Sequence, residues 1–340
     1  MSALIDRALR DGRNVADIVF GHLDRAGTTL NFVDVGARNG SFMLPRSYAA
    51  RARLTGFEPN RAEYDKLVSG RTDARAAGLV EPSYREKKYY PQALWSKAGR
   101  RTLYLTQGPG AVTLMGPASE RMTGNMWREE DRDQNYYDRV QRVVDTVEVD
   151  CITLDELWRE NGETVDILKL DVEGGELEVL KGARGLLEAK KPLLIFTEFL
   201  LLPFYEHRVT LGHQQVFLDE LGYRLIAINF DHFPYSWKPT NIRGRNDRRL
   251  RYAGDAIFIL DPDRNTLDRD SMYRLGLACL SAGFDSLGLN LIRETGAVQS
   301  NDIEAVEDLA NRPPLLRWLR AAWTGVPHSA DRLLQALKLR

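Results

Sequence analysis

Seven short apolar runs dominate the middle of the chain: Leu30 to Val35, Leu54 to Phe57, Tyr89 to Trp95, Val165 to Leu170, Leu193 to Phe199, Tyr223 to Ile228 and Ala256 to Leu260. Each has the length of a buried strand. Between several of them lie stretches that suit helices, Arg61 to Ser69, Glu176 to Ala189 and Gln214 to Leu221. That alternation predicts a mostly parallel sheet covered on both faces, a doubly wound α/β fold. The last two strands have only a loop between them and predict an antiparallel edge.

Two further runs, Thr102 to Thr106 and Thr146 to Ile152, alternate apolar and polar residues around a polar segment rich in Met and Tyr. They predict an inserted hairpin at about 100–152, near the substrate. Before the first strand, Leu4, Ile5, Leu9, Val15, Ile18, Val19 and Leu23 recur at helical intervals, so residues 1–26 form an N-terminal helical segment. After a central domain at 27–262, the runs Leu267 to Ala282, Ile303 to Leu309, Leu315 to Trp323 and Ala330 to Leu339 read as helices. This appended region, 263–340, serves as a packing support or as the surface of a homo-oligomer.

Composition narrows the picture. The chain has 340 residues, enough for a large core, and 47 basic residues nearly cancel 48 acidic ones, so net charge selects no partner class. The cluster Arg243, Arg245, Arg248, Arg249 and Arg251 reads as a solvated loop, and nucleic acid is not an expected partner. Cys151 and Cys279 stand far apart, which argues against a disulfide framework or a zinc knuckle and fits a reducing, cytoplasmic setting. The N-terminal stretch lacks an apolar core, and the most apolar run, Leu193 to Phe204, is interrupted by Glu198. Neither a signal peptide nor a membrane span is expected.

The chemistry lies at the strand ends. In Asn31-Phe-Val-Asp-Val-Gly-Ala-Arg-Asn-Gly-Ser41 an apolar strand runs into a glycine-rich turn, where Gly36, Ala37 and Gly40 let backbone approach a ligand. Asp34, before the first glycine, suits a cationic α-amino group better than a pyrophosphate. Glu58 follows 24 residues later at the end of the second strand, closed by Pro59, where doubly wound folds hold a ribose. Gln92 and Ala93, at the end of the third strand, fall along an adenine edge. Together these residues imply a nucleoside with an amino-acid tail.

The run Asp166 to Ala183 is a buried strand, a tight acidic turn and an amphipathic helix. Asp171 and Glu173 project where open α/β sheets bind ligands. Glu176 serves the helix N-terminus, and Lys169, unusual within a strand, is expected to pair with a neighbouring acid.

These segments resemble the FkbM methyltransferase family: Asp34-Val-Gly-Ala-Arg-Asn-Gly40, Gly56-Phe-Glu-Pro59, Gln92-Ala-Leu94, Thr153-Leu-Asp-Glu-Leu157, Asp166 through Ala183 and Pro192 through Glu198, in the family's order. The resemblance implies a seven-stranded Rossmann-like class I methyltransferase sheet. It also implies S-adenosylmethionine bound by Asp34, Gly36, Gly40 and Glu58, with Asp171 near the methyl group. Arg38 departs from the family, which commonly has asparagine there. The resemblance further implies O-methylation of a sugar, glycan or glycolipid hydroxyl, or of a polyketide or other natural product.

Methyl transfer to a hydroxyl needs in-line alignment and a base within hydrogen-bond reach. Glu198, closing the fifth strand, is the first candidate, then Glu173 and Asp171; His207, His213 and His232 lie in polar loops. Asp171 and Glu173 are also hard oxygen ligands, but no further clustered acid completes a metal site in the sequence. A nicotinamide-dependent oxidoreductase would share the glycine turn and the ribose acid, and a non-catalytic scaffold would share the fold.

Overall fold

A computed structural model describes residues 20, 21, 23, 27–116, 126–128, 140–162, 164–202, 205, 209–230, 235–237 and 253–310. Seven strands form one sheet, six of them on the expected runs and one sharing only Tyr89 and Tyr90 with the expected run Tyr89 to Trp95. They are β1 (Leu30–Val35), β2 (Ala52–Phe57), β3 (Glu86–Tyr90), β8 (Ile167–Leu170), β9 (Leu194–Leu200), β10 (Tyr223–Phe230) and β12 (Ala253–Leu260). The sheet order is β3-β2-β1-β8-β9-β12-β10. β12 is antiparallel to both β9 and β10, and every other pairing is parallel. The central strands read as almost uninterrupted apolar runs because both of their faces are buried.

The chain runs outward from β1 to β2 and β3, then returns to β8 on the other side of β1. The order therefore reverses at the β1/β8 seam, and the crevice outside the carboxyl ends of these strands is where such sheets bind ligands.

A second sheet carries β4 (Ala93–Leu94), β5 (Gly99–Thr106) and β7 (Val143–Ile152). β5 and β7 pair antiparallel, as the alternating pattern predicted, while β4 runs parallel to β7. The expected third strand, Tyr89 to Trp95, is thus two strands in two sheets. Pro91 lacks the N–H that a ladder needs, so β3 ends at Tyr90 and the chain crosses to the second sheet. The polar start of β3, Glu86-Lys87-Lys88, is exposed, as suits an edge strand. A short pair, β6 (Met126–Arg128) with β11 (Tyr235–Trp237), lies apart.

The described helices are α1 (Arg46–Ala49), α2 (Arg61–Val68), α3 (Asp73–Ala76), α4 (Leu154–Asn161), α5 (Glu176–Lys181), α6 (Arg184–Glu188), α7 (Leu211–Glu220), α8 (Arg269–Ser281), α9 (Asp285–Thr295) and α10 (Ser300–Ala310). Glu176 to Ala189 was expected to be one helix but is split into α5 and α6. Asp155 of α4 accepts the Gly185 and Leu186 N–H groups, both at 2.8 Å, and so gives α6 its own N-terminal cap. α9 was not foreseen. Among the described residues no helix is long and apolar enough to cross a membrane. Phe20 and Leu23 are buried in the main core; the rest of 1–26, apart from Gly21, and the expected helices at 315–323 and 330–339 lie outside the described residues.

At the opposite edge of β8, Asp166 is fully buried and fastens α8 to the sheet. It accepts the Asn31 N–H at 2.8 Å and pairs with Arg274 at 3.1 Å, while Arg274 also donates to the Thr29 carbonyl at 2.8 Å. Removing the arginine leaves a buried carboxylate with its main counter-charge gone. Arg274→Met should therefore lower unfolding stability by about 3 kcal/mol at neutral pH; urea denaturation checks it, and a loss in extrapolated unfolding free energy below about a tenth of that would show the pair to be dispensable.

Candidate active site

A cleft opens at the β1/β8 seam. Gly36, Glu58, Pro59, Ala93, Asp171 and Glu173 all line it, so residues separated by more than a hundred positions meet at one opening. Its apolar wall comes largely from the second sheet and the strap after β5: Leu94, Trp95, Leu103, Val112 and Leu114.

Gly36 is required twice over. Its φ is +86°, and a Cβ built there would lie 2.0 Å from the Asp171 carbonyl oxygen. The turn is pinned across the seam by the Asp171 N–H donating to the Val35 carbonyl at 3.0 Å. Ala37 is buried and donates to the Phe57 carbonyl at 2.9 Å, and Gly40 lies beside Glu81, whose carboxylate accepts the Ser41 N–H at 2.7 Å. Neither Ala37 nor Gly40 lines the cleft; both shape the turn.

Asp34, expected to hold an amino group directly or through water, has a side chain that is 1% exposed and lies behind the residues that line the cleft. Its carboxylate accepts hydrogen bonds from the Ser41 hydroxyl and from Lys169 Nζ, the latter at 3.0 Å. Burial raises the Asp34 pKa, and the Lys169 charge opposes that rise. Lys169 also reaches Asp171 at 3.4 Å. Burial works against the lysine's charge, but the two carboxylates outweigh it and hold its pKa above the ordinary value. Lys169 thus pairs as the sequence suggested, and with two acids.

Glu58 is 5% exposed at the end of β2, its own N–H donating to the Tyr90 carbonyl and its carboxylate accepting the Asn60 N–H at 2.8 Å. Arg38, the departure from the family pattern, has a structural partner set: Glu63 on α2 at 3.0 Å and Asp73 on α3 at 3.3 Å. It ties the glycine turn to the helices after β2. Gln92 does not line the cleft, though Ala93 does; the Gln92 amide oxygen is buried without a hydrogen-bond partner.

The acidic turn is tightly built. Glu173 has a φ of +55°, a left-handed conformation that costs a non-glycine residue about 1 kcal/mol or more. Glu176 supports it, accepting the Val172 N–H at 2.9 Å and the Gly174 N–H at 3.2 Å. This goes beyond the helix-terminus role expected of it. Glu198, on β9, brings its carboxylate to the same place: ligand oxygens of Asp171, Glu173 and Glu198 lie within 4.8 Å of one another. The expectation that no third acid joins Asp171 and Glu173 is therefore wrong, because pairing of β8 with β9 aligns positions the sequence keeps 27 residues apart. Three such oxygens could take a proton from a hydroxyl or hold a hard divalent cation.

Sequence reading missed several neighbours. Asp255 stands directly across from Glu198 on β12, and Gln214 of α7 donates to the Glu198 carbonyl at 3.0 Å. Tyr205 is buried beside Glu173, Glu198 and Glu176, and burial first, then those charges, hold its phenol protonated well above the ordinary value. His213 is a capping residue, its Nδ1 accepting the Thr210 N–H at 3.1 Å. His207, His232, Tyr136, Tyr137, Phe233 and the arginine cluster at 243–251 lie outside the described residues.

A model of the family described as "Methyltransferase FkbM domain" matches residues 34–225. No curated protein matches the chain. Among solved structures, the chain is similar to magnesium protoporphyrin IX methyltransferase from Synechocystis with bound SAM, at 11% identity over 72% of this chain and 77% of that one, TM-score 0.31. It is also similar to precorrin-6y C5,15-methyltransferase from Geobacter metallireducens, at 11% identity over 72% and 87%, TM-score 0.32. A third, a putative tRNA (m1A22) methyltransferase from Streptococcus pneumoniae, shows 10% identity over 89% and 96%, TM-score 0.28. These are distant likenesses.

Burial pushes the Glu176 carboxyl up to about 7, with the Asp171 charge adding to the rise and the turn amides opposing it. A carboxyl whose pKa is higher folded than unfolded contributes stability that is complete below its ordinary value of 4.5 and lost as pH climbs through 7. Glu176→Gln keeps the acceptor oxygen for both amides and removes the titration. Relative to the variant, the wild type should lose about 3 kcal/mol of stability between pH 4.5 and 8. Denaturation curves that stay parallel across that window would show that Glu176 ionises as freely in the fold as outside it.

Proposed function

This chain belongs to the FkbM methyltransferase family, and from that premise we propose that it transfers the methyl group of S-adenosylmethionine to a hydroxyl of a sugar, glycan or glycolipid. The observation that carries the cofactor reading is the single cleft at the strand-order reversal, which joins the Gly36 turn, Glu58, the Ala93 wall and the Asp171–Glu173 turn. The seven strands, with β12 antiparallel between β9 and β10, also fit a Rossmann-like class I methyltransferase sheet.

The residues present suit that group. The Gly36 turn is a cradle that a Cβ would fill, Glu58 offers a buried carboxylate to ribose hydroxyls, and Ala93, Leu94 and Trp95 offer apolar surface to a purine. Bound there, S-adenosylmethionine supplies an electrophilic methyl group on a cationic sulfur. Asp34 supports the turn through Lys169 and Ser41.

The chain's own residues do the rest. The apolar wall excludes water, and the acid cluster faces the acceptor. Glu198 would take the proton of the acceptor hydroxyl, and Asp171 and Glu173 would orient that hydroxyl so that its oxygen can receive the methyl group that the cofactor's sulfur gives up. Acceptor preference for a neutral polyol rests on the family resemblance and on the capacity of the acidic rim to accept hydroxyl hydrogen bonds.

Calorimetric titration tests the cofactor. S-adenosylmethionine and S-adenosylhomocysteine should both bind and NAD should not, and Glu58→Ala should weaken binding about 10- to 100-fold, the range for losing hydrogen bonds to a charged group. Binding of NAD in place of the adenosyl pair would overturn the reading.

For the chemical step, labelled methyl transfer to a panel of sugars and glycans is the assay. Glu198→Gln should lower turnover about 100-fold or more while leaving cofactor affinity within a factor of about two. Activity abolished by EDTA and restored by magnesium would instead make the three acids a cation site.

A further inference from the structure

The strap after β5 forms part of the cleft wall through Val112, Thr113 and Leu114. Thr113 is 4% exposed, and its hydroxyl sits where the strap meets the Glu173 turn. It donates to the Glu173 carbonyl oxygen at 2.8 Å and accepts the Met115 N–H at 3.0 Å. A hydroxyl has one proton, and here it is committed to the Glu173 carbonyl.

The backbone of Thr113 is fixed as well. The Tyr104 N–H of β5 donates to its carbonyl at 2.9 Å, and its own N–H donates to the Tyr104 carbonyl at 3.3 Å. The hydroxyl is therefore anchored to the second sheet, while the residue it grips belongs to the main one. Glu173 holds a left-handed conformation, which persists only where surrounding contacts over-determine it. Glu176 takes the N–H groups of Val172 and Gly174, Thr113 takes the carbonyl between them, and the Tyr205 ring packs where a Gly174 side chain would sit.

We propose that Thr113 is a positioning residue: its hydroxyl sets the Glu173 backbone, and so the aim of the Glu173 carboxylate, and couples that turn to the cleft wall on which the cofactor rests. The part concerning the cofactor rests on the function proposed above; the part concerning the turn does not. Nothing in the sequence pattern marks Thr113, because it touches Glu173 across 60 positions.

Amide hydrogen exchange on the full-length protein, with Thr113→Val and Thr113→Ser, separates the two parts. Without cofactor, the Val172 and Gly174 amides should exchange about tenfold faster in T113V and return to within about twofold of wild type in T113S, with the Tyr104 amide unchanged in both. Added S-adenosylmethionine should slow strap and turn together in the wild type and in T113S, but the strap alone in T113V. Should T113V fail to fold, T113A, whose smaller side chain admits a water beside Glu173, takes its place with the same expected effect. Unchanged Val172 and Gly174 amides in the hydroxyl-free variant, or a serine variant as fast as it, would overturn the proposal. A cofactor-free effect with no S-adenosylmethionine binding would leave the positioning role standing and overturn the methyltransferase reading instead.

Discussion

One buried ammonium organises the site. Lys169 sits on a central strand with both of its faces covered, where a cation would be costly by itself, and it is held by Asp34 of β1 and Asp171 at the end of β8. Asp34 is buried against the lysine, and removing one partner of such a cluster costs about 3–5 kcal/mol. The cluster straddles the seam at which the strand order reverses. The Gly36 turn, the Asp171 turn and the opening between them therefore inherit their positions from it.

From that seam the site is assembled in two layers. The main sheet supplies the polar groups: Glu58 from β2, Asp171 and Glu173 after β8, and Glu198 from β9. The second sheet supplies the apolar wall and a single polar grip, the Thr113 hydroxyl on the Glu173 carbonyl. This division suits group transfer, because charge is placed by rigid parallel strands while water is excluded by an element that the chain adds between β3 and β8. Arg38 extends the logic on the far side, fastening the glycine turn to α2 and α3 by ion pairs that the family's usual asparagine would not make.

The acid cluster shows how register creates chemistry. Asp171, Glu173 and Glu198 read in the chain as one acidic turn and one strand-end glutamate. Parallel pairing of β8 with β9 brings them together, and antiparallel pairing of β9 with β12 sets Asp255 directly opposite Glu198. Like charges side by side on neighbouring strands oppose folding. Their presence at the carboxyl edge is the mark of a site kept for function at a cost in stability.

The sequence by itself determined six of the seven main-sheet strands, the places of α2, α7 and α8, the antiparallel edge, the glycine turn and the acids at the strand ends. These are local matters, since burial on both faces writes a continuous apolar run and a sharp turn demands glycine. It misjudged the run Tyr89 to Trp95 because apolar character cannot tell which of two sheets a strand joins. Sequence order does not show that Lys169, 135 positions away, bonds the Asp34 carboxylate. Only the tertiary structure decided those partners, along with the third acid of the cluster, the cleft wall from the inserted sheet and the role of Thr113. Each depends on contacts between residues far apart in the chain, set by strand order and register, and neither is recorded in the local pattern of apolar and polar positions.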